Sequence, residues 1–169
     1  HTWRYETGSF LDRIWVALDW DNTHDQEGLE LEEEVEVFFE LDGPLQLRLN
    51  GLFGGSKTYF NGIYFDEQFN QLALTLRPSS DLYARMTVRV EDVVDFANTR
   101  LGHSKRYTPN IVYQYGQHLQ LDLSHTYQTF DVSGGRLFTA NLTELRSTYQ
   151  FSTRSFLRLI LQSSENERD

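Results

Sequence analysis

The sequence predicts an all-β protein, an antiparallel up-and-down meander of about nine or ten strands that forms part of a transmembrane β-barrel. The longest regular stretch is residues 29–41, in which apolar and acidic side chains alternate. Short turn signals recur near residues 43, 79, 117 and 153, at almost equal spacing. No convincing helical pattern interrupts the strands, so we expect consecutive strands to pair as neighbours.

The alternating run predicts the first hairpin. Over residues 29–41 the odd positions are mainly apolar and the even positions are mainly glutamate, which is the period of two that a strand with one apolar face requires. Asp42-Gly43-Pro44 interrupts the alternation, which resumes at Leu45. A tight turn at this tripeptide pairs Leu41 with Leu45 in the predicted register.

The rest of the chain predicts shorter strands joined by connections of alternating length. Residues 1–8 are predicted to end a strand, and residues 92–97 are expected to form a helical turn. The further predicted strands are residues 10–20, 69–77, 82–90, 109–115, 119–130, 136–151 and 155–162. The predicted longer loops are residues 21–28, 54–67, 91–107 and 131–135. Short turns at one end and longer loops at the other are typical of a transmembrane β-barrel.

Aromatic side chains cluster near the short turns, as in the aromatic belt of a membrane protein. They are Phe38, Phe39, Tyr83, Tyr113, Tyr115, Tyr149, Phe151 and Phe156. Several segments also reach the roughly 9–11 residues that a membrane strand needs. The alternative is a soluble β-barrel or sandwich that binds a small apolar or sugar ligand, because such a protein also has one apolar face. The two hypotheses differ in whether lipid or a packed core covers the aliphatic residues.

Composition excludes several kinds of partner and site. The formal net charge of -10 disfavours non-specific binding to nucleic acid, so we expect no nucleic-acid partner. The chain has no cysteine, which excludes disulfides and thiolate metal sites. No apolar run reaches the roughly 18 residues of a transmembrane helix, and no signal peptide is visible.

Charged residues on the polar sides of the strands are predicted to line the lumen of the barrel. In the predicted hairpin register, Arg48 lies diagonal to Glu36 and Glu40. Two interpretations of the glutamates stay open: they form a cation-attracting wall in a pore, or they form a solvated face balanced by arginines. The predicted lumen-lining residues are Glu30, Glu32, Glu34, Glu36, Arg48, Arg85, Arg89, Arg146 and Arg158.

An aromatic group in the predicted loop 54–67 is the candidate ligand-stacking site. It consists of Tyr59, Phe60, Tyr64 and Phe65. These rings have three candidate roles, namely stacking on a sugar, anchoring at the membrane interface, or packing as the core of the loop.

The remaining motifs predict no catalytic residue, metal site or cofactor. Residues 19–25 carry oxygen ligands at close spacing but lack the EF-hand order, its central glycine and its terminal bidentate glutamate, so a solvated acidic loop is expected. The five histidines show no metal-ligand spacing. No nucleophile elbow of the G-x-S-x-G type occurs, and the sequence does not predict an enzyme.

Three stretches resemble a known family. Tyr149-Gln150-Phe151 is followed by Arg154-Ser155-Phe156-Leu157-Arg158 within residues 134–162, and residues 60–70 (FNGIYFDEQFN) and 76–82 (LRPSSDL) are also similar. This pattern resembles bacterial outer-membrane β-barrel proteins that carry an N-terminal carbohydrate-binding-like domain of family nine. The resemblance covers roughly residues 60–162 and rests on strand motifs, which carry no chemistry.

The resemblance implies a place in the bacterial outer membrane, with outer-membrane lipid as partner. It also implies a structural role, as a pore or as the anchor of a carbohydrate-related envelope protein. The chain departs from the family in two ways, because it lacks the carbohydrate-binding-like domain and the last strands that usually end in an aromatic residue. We therefore expect the rest of a larger barrel, or neighbouring chains, to complete the sheet.

Overall fold

The computed structural model describes residues 1–4 and 10–168, and these residues form strands joined by turns, with no helix. The strands are β1 (Thr2–Arg4), β2 (Arg13–His24), β3 (Glu30–Gly43), β4 (Leu47–Phe60), β5 (Ile63–Leu76), β6 (Leu82–Asp95), β7 (Arg100–Tyr115), β8 (Leu119–Val132), β9 (Gly135–Ser152) and β10 (Ser155–Arg168). They pair antiparallel in chain order in one 10-stranded sheet, which confirms the predicted meander. The predicted strand end at residues 1–8 lies partly outside the described residues.

Most of the predicted longer loops are strand. The prediction of a loop at residues 54–67 was wrong, because β4 and β5 continue to a two-residue turn at Asn61-Gly62. Both turn residues have positive φ, 50° and 84°, as the favoured two-residue hairpin turns require. The irregular region predicted at residues 91–107, including its helical turn, is the β6–β7 hairpin. Tight turns therefore occur at both ends of the strands.

The β3–β4 turn lies later in the chain than predicted. The Leu47 N–H donates to the Pro44 carbonyl (3.0 Å), and Leu45 and Gln46 between them have φ of 58° and 51°. Leu41 consequently pairs with Leu49 rather than with Leu45. The shift is an even number of residues, so every side chain keeps its predicted face although its cross-strand neighbour changes.

Directly opposed residues of an antiparallel pair share a face, and the registers therefore divide the sheet into two faces. The aliphatic face carries Ile14, Val16, Leu18, Val37, Leu41, Leu49, Leu72, Leu74, Met86, Val88, Ile111, Leu121, Leu123, Leu145, Leu157, Leu159 and Leu161. The charged face carries Arg13, Asp19, Asp21, Glu32, Glu34, Glu36, Glu40, Asp42, Arg48, Arg85, Arg89, Glu91, Arg106, Asp122, Glu144, Arg146 and Arg158.

Accessibility shows which face the sheet shelters. On β5 the charged-face residues Phe65, Phe69 and Ala73 are buried, whereas Leu72 and Leu74 on the aliphatic face are 42% and 37% exposed. No second layer of the described residues packs on the aliphatic face. Among the described residues, no helix is long and apolar enough to cross a membrane.

Aromatic rings lie across glycines of the neighbouring strand. A Cβ at Gly51 would stand 1.9 Å from the Phe39 ring on the aliphatic face, and one at Gly54 would stand 2.4 Å from the Phe69 ring on the charged face. In each case the glycine and the phenylalanine are directly opposed in the register. Each phenylalanine ring covers the backbone of the glycine opposite it. Such aromatic–glycine pairs help to fix the pairing register of the two strands in curved sheets.

The two ends of the strands differ in chemistry. We call the end with the turns at residues 44–46, 77–81, 116–118 and 153–154 the near end, and the end with the turns at residues 25–29, 61–62, 96–99 and 133–134 the far end. The aliphatic face is apolar toward the near end. Toward the far end the same face carries polar side chains such as Glu33, Lys57, Asp66, Lys105 and Glu165.

Candidate functional site

At the near end of β2, β3 and β4, the carboxylates and arginines of the charged face pair with one another. Arg13 contacts both Glu40 and Asp42, the latter at 2.7 Å. Arg48 lies 2.8 Å from Asp42 and 3.7 Å from Glu40. The amide of Asn50 donates to Glu40 Oε2, the oxygen that faces Arg48, at 2.8 Å. This near-end cluster of two arginines and two carboxylates is electrically balanced and ties β2, β3 and β4 together.

Farther along the same strands, carboxylates face one another instead. Asp19 is directly opposite Glu36, and Asp21 is directly opposite Glu34. None of the salt bridges formed by the described residues reaches these four carboxylates. Like charges directly opposed across two strands destabilise a sheet. This acidic quartet therefore needs a surrounding of high dielectric constant, with mobile cations to screen it.

The arginines of β6 to β10 form the opposite kind of surface. Arg85, Arg106 and Arg158 donate from Nε to the neutral side chains of Thr87, Gln128 and Thr148, at 3.3, 3.3 and 3.4 Å. Arg89 and Arg146 instead contact carboxylates on their own strands, Glu91 at 2.6 Å and Glu144 at 2.8 Å. Arg89 and Arg106 are also directly opposed across β6 and β7. The charged face is thus segregated into an acidic region on β2–β3 and an arginine-rich region on β6–β10.

The register places the predicted lumen-lining residues on this one face, with a single exception at its edge. Glu32, Glu34, Glu36, Arg48, Arg85, Arg89, Arg146 and Arg158 all stand on the charged face. Glu30 lies beyond an irregularity of the β2–β3 pairing, and its carboxylate accepts from Asn22 Nδ2 at 3.2 Å. Arg48 reaches Glu40 but not Glu36, which is opposite Gly54.

The four predicted stacking aromatics do not share a surface. Tyr59 and Tyr64 pair on the aliphatic face, with ring centroids 5.0 Å apart, and the Lys57 ammonium lies 4.6 Å from the Tyr64 ring centroid. Phe60 packs edge-on against Phe96 of the β6–β7 turn, with centroids 4.9 Å apart. Phe65 is buried on the charged face. The rings thus belong to separate clusters at the far end.

The acidic segment at residues 19–25 divides between β2 and the turn that follows it. The Asp25 carboxylate accepts the backbone N–H groups of Glu27 (2.9 Å) and Leu29 (2.8 Å), so it shapes the β2–β3 turn. Among the described residues, no group of three or more His, Asp or Glu side chains is arranged to hold a metal ion.

Two turns at the far end hold hydrogen-bonded carboxylates. The pKa of Asp95 is lowered by hydrogen bonds from Asn98 and from Arg100, whose Nε is 3.0 Å away. The pKa of Asp131 is lowered in the same way by Arg136, at 2.8 Å. In each case the carboxylate is directly opposed to its arginine in the register.

An aromatic cluster with polar neighbours escaped the sequence analysis. Phe130 and Phe138 flank the β8–β9 turn and are directly opposed on the charged face, with centroids 5.7 Å apart. Arg106 and Gln128 lie beside them. The sequence signal was the placement of the two phenylalanines on either side of the Gly134-Gly135 turn, which brings them together once that turn is recognised.

Comparison with known proteins identifies the architecture. No protein-family model matches the chain, and no curated protein sequence matches it. The chain is similar to the solved structure of OmpT (in-vitro folded), an outer membrane protein of Vibrio cholerae, with a TM-score of 0.63 and 12% identity over 99% of this chain and 53% of that chain. It is also similar to OmpTdeltaL8, the loop L8 deletion mutant of OmpT, with a TM-score of 0.63 and 11% identity over 96% of this chain and 61% of that one.

At this level of identity the similarity establishes the fold alone, which is that of part of an outer-membrane β-barrel. This confirms the predicted fold class. The chain spans 53% and 61% of the two chains it matches, so it corresponds to little more than half of such a barrel.

Proposed function

We propose that this chain forms part of a water-filled, porin-like β-barrel in the outer membrane of a Gram-negative bacterium. In this proposal lipid covers the aliphatic face, and the charged face lines the lumen. The chain is assigned no catalytic role.

The division of one sheet into two chemically opposite faces carries the proposal. Leucines on the aliphatic face stay exposed even on interior strands: Leu72, Leu74 and Leu123 are 42%, 37% and 44% accessible. A soluble barrel or sandwich would cover such residues with a packed core, whereas lipid covers them in a membrane. On the other face, water in the lumen solvates the four carboxylates of the acidic quartet, Asp19, Asp21, Glu34 and Glu36.

Strand length and the polar far end also support this orientation. The strands β2 to β10 contain 12 to 18 residues, more than the roughly 9–11 residues that cross the bilayer. The excess lies toward the far end, where the aliphatic face carries charged side chains such as Lys57 and Glu165. We therefore place the near end at one membrane surface and let the far end project into water.

The free edges define what the chain needs as a partner. Within the described residues, β1 pairs only with β2 and β10 pairs only with β9. An unpaired strand edge is not tolerated in lipid, because its N–H and C=O groups find no hydrogen-bond partner there. We propose that further strands, from the rest of a larger barrel or from neighbouring chains, pair with both edges.

The first test is the dependence of the protein on detergent. We expect the protein, purified in mild detergent together with the strands that complete its barrel, to be monodisperse and to change its gel mobility on heating, as closed membrane barrels do. Protein transferred to plain buffer should aggregate, because the aliphatic face loses its cover. Monodisperse, folded protein in plain buffer would overturn the membrane assignment and would require an internal core for the leucines.

The second test measures ion selectivity in planar bilayers under a KCl gradient. We expect an ohmic conductance that prefers cations, because the acidic quartet raises the local cation concentration. The double variant Asp19→Asn/Glu36→Gln should shift the reversal potential toward anion preference. The matched control Glu165→Gln/Glu167→Gln removes two carboxylates from the aliphatic face and should leave the reversal potential unchanged.

The planar-bilayer measurement also distinguishes the pore from the anchor role that the family resemblance implies. A detergent-dependent, heat-modifiable barrel that conducts no ions would reject the pore and support a filled barrel that anchors a carbohydrate-related envelope protein. An equal shift of reversal potential in both double variants would reject the placement of the charged face in the lumen.

A further inference from the structure

A cavity of about 380 Å³ lies on the charged face toward the far end, between β6 and β9. Phe130 and Phe138 form one side of it, with their rings inclined by only 26°. The Phe130 ring also occupies the space where Gly102 lacks a side chain, since a Cβ there would stand 2.3 Å from the ring. The absence of a side chain at Gly102 therefore lets the Phe130 ring lie close to the sheet and fixes its position.

Hydrogen-bonding groups surround this apolar pair. Gln128 donates from Nε2 to the Ser104 hydroxyl (3.3 Å) and accepts from Arg106 Nε (3.3 Å). Ser104 is only 2% exposed, so the Gln128 side-chain amide is hydrogen-bonded to a buried hydroxyl. The Arg106 side chain forms no other hydrogen bond or ion pair with the described residues, and its Nη groups can therefore donate to a ligand.

An acceptor completes the set. Glu91 also lines the cavity and is held by Arg89, whose Nε is 2.6 Å from Glu91 Oε2. The cavity wall thus offers a guanidinium, an amide and a carboxylate beside two flat rings. The lining itself carries one charge of each sign, Glu91 and Arg106, and Glu91 is already paired with Arg89. A ligand with neutral hydroxyl groups can donate to Glu91 and accept from Arg106.

We propose that this cavity is a subsite for a neutral pyranose sugar. A pyranose ring has an apolar C–H face that packs on aromatic rings and a rim of hydroxyls that both donate and accept hydrogen bonds. Phe130 and Phe138 contact the C–H face, Arg106 and Gln128 bind hydroxyl oxygens, and Glu91 accepts a hydroxyl proton in a hydrogen bond. The inference rests on the proposed function in one respect, since it needs the charged face to be open to water.

The test uses maltohexaose as the probe and the protein in detergent. Saturation-transfer NMR should show saturable binding, with the strongest transfer to sugar C–H protons. Phe138→Leu keeps an apolar side chain but removes the flat ring, and should weaken binding about tenfold. Arg106→Gln should weaken it about fivefold, because one charged donor is lost.

Phe38→Leu is the matched control. Phe38 stands on the same charged face but on β3, opposite Leu52 and Ala17. The Phe38→Leu variant should bind maltohexaose as the unmodified protein does. All variants should keep heat-modifiable gel mobility as a sign of the native fold. Equal weakening in Phe38→Leu and Phe138→Leu would overturn the assignment of the subsite.

Two further outcomes separate this inference from the proposed pore. A conducting channel with no saturable maltohexaose binding would reject the subsite and leave the pore standing. Maltohexaose binding that Phe138→Leu weakens, in a protein that conducts no ions, would keep the subsite and reject the pore. Tighter binding of phenylacetate than of maltohexaose would identify a site for an aromatic anion, with its carboxylate on Arg106, and would overturn the sugar assignment.

Discussion

Strand β3 carries acidic side chains of the charged face on both sides of Phe38, and the residues opposite them differ between the two halves of the strand. Toward the near end, Glu40 and Asp42 are each contacted by both Arg13 and Arg48. Toward the far end, Glu34 and Glu36 face the carboxylates of Asp21 and Asp19. The two halves share a strand, a face and a residue type, and they differ only in what stands opposite.

This difference separates structural charge from functional charge. In the near-end cluster the arginines neutralise the carboxylates and join three strands, so the cluster stabilises the fold. The acidic quartet opposes the fold, because like charges directly opposed across two strands are destabilising. A protein that keeps such pairs on a water-facing wall gains an electrostatic field there, at the expense of stability.

The largest stability effect should come from breaking the near-end cluster. Arg13→Gln leaves Glu40 and Asp42, whose side chains are 18% and 20% exposed, with Arg48 as the one cation of the described residues that still contacts them. We expect a loss of about 1–2 kcal/mol in the free energy of unfolding, measured by urea titration in lipid vesicles. The control Arg158→Gln removes an arginine that donates to Thr148 and lies over the exposed Phe156 ring but pairs with no carboxylate of the described residues, and it should cost less than about 0.5 kcal/mol. Equal losses would show that the cluster adds nothing to stability.

A cation placed in the acidic quartet should pair with its carboxylates, as the arginines of the near-end cluster pair with Glu40 and Asp42. Asp21→Arg converts the Asp21–Glu34 repulsion into an attraction and should raise the free energy of unfolding by up to about 1 kcal/mol. Asp21→Asn only removes the repulsion and should give a smaller gain. The same urea titration compares them, and an arginine variant no more stable than the asparagine variant would contradict the directly opposed register.

The β3–β4 turn tests whether the near half is held by its arginines or by its turn. Leu45 and Gln46 adopt left-handed backbone conformations that suit Asn and Gly better. The double variant Leu45→Asn/Gln46→Gly should therefore stabilise the protein by about 1 kcal/mol or less. Its effect should add to that of Arg13→Gln, and a clearly non-additive double-mutant cycle would show that turn and cluster act as one unit.

Acid should weaken the far-end turns that pair opposite charges. The pKa values of Asp95 and Asp131 are lowered in the fold, so their stabilisation is full above the unfolded pKa and is lost as pH falls through the folded pKa. We expect amide hydrogen exchange near Gly135 to accelerate in that acidic range once corrected for the intrinsic rate. Asp131→Asn should remove this extra pH dependence at the β8–β9 turn, and its persistence there would assign the effect to another group.

The sequence predicted which side chains share a face of the sheet, but not which residues are cross-strand neighbours. The parity of a strand fixes which side chains share a face, so the placement of Glu34 and Arg48 together followed from alternation alone. Neighbours depend on register, and register depends on turn chemistry. Asp42-Gly43-Pro44 has the composition of a turn, yet the chain turns at Leu45-Gln46, which no local preference favours.

The candidate sites were missed for the same reason. The Asn61-Gly62 signal was present but was assigned to a loop. The opposed pair Asp21–Glu34 forms only when β2 and β3 align, and the pair Phe130–Phe138 forms only when the β8–β9 turn is placed correctly. Neither follows from the pattern of a single strand. Alternation therefore predicted the membrane-type architecture, and the chemistry of the charged face required the paired structure.

The strict chain-order pairing of the sheet also determines how this protein folds. Every strand from β2 to β9 pairs with the strands just before and just after it in sequence, so each hairpin closes a short loop at small entropic cost. Folding through such nearest-neighbour steps is fast and has low contact order. The outer edges at β1 and β10 must still pair with the strands that complete the barrel, and we expect this closure to limit the overall rate of assembly.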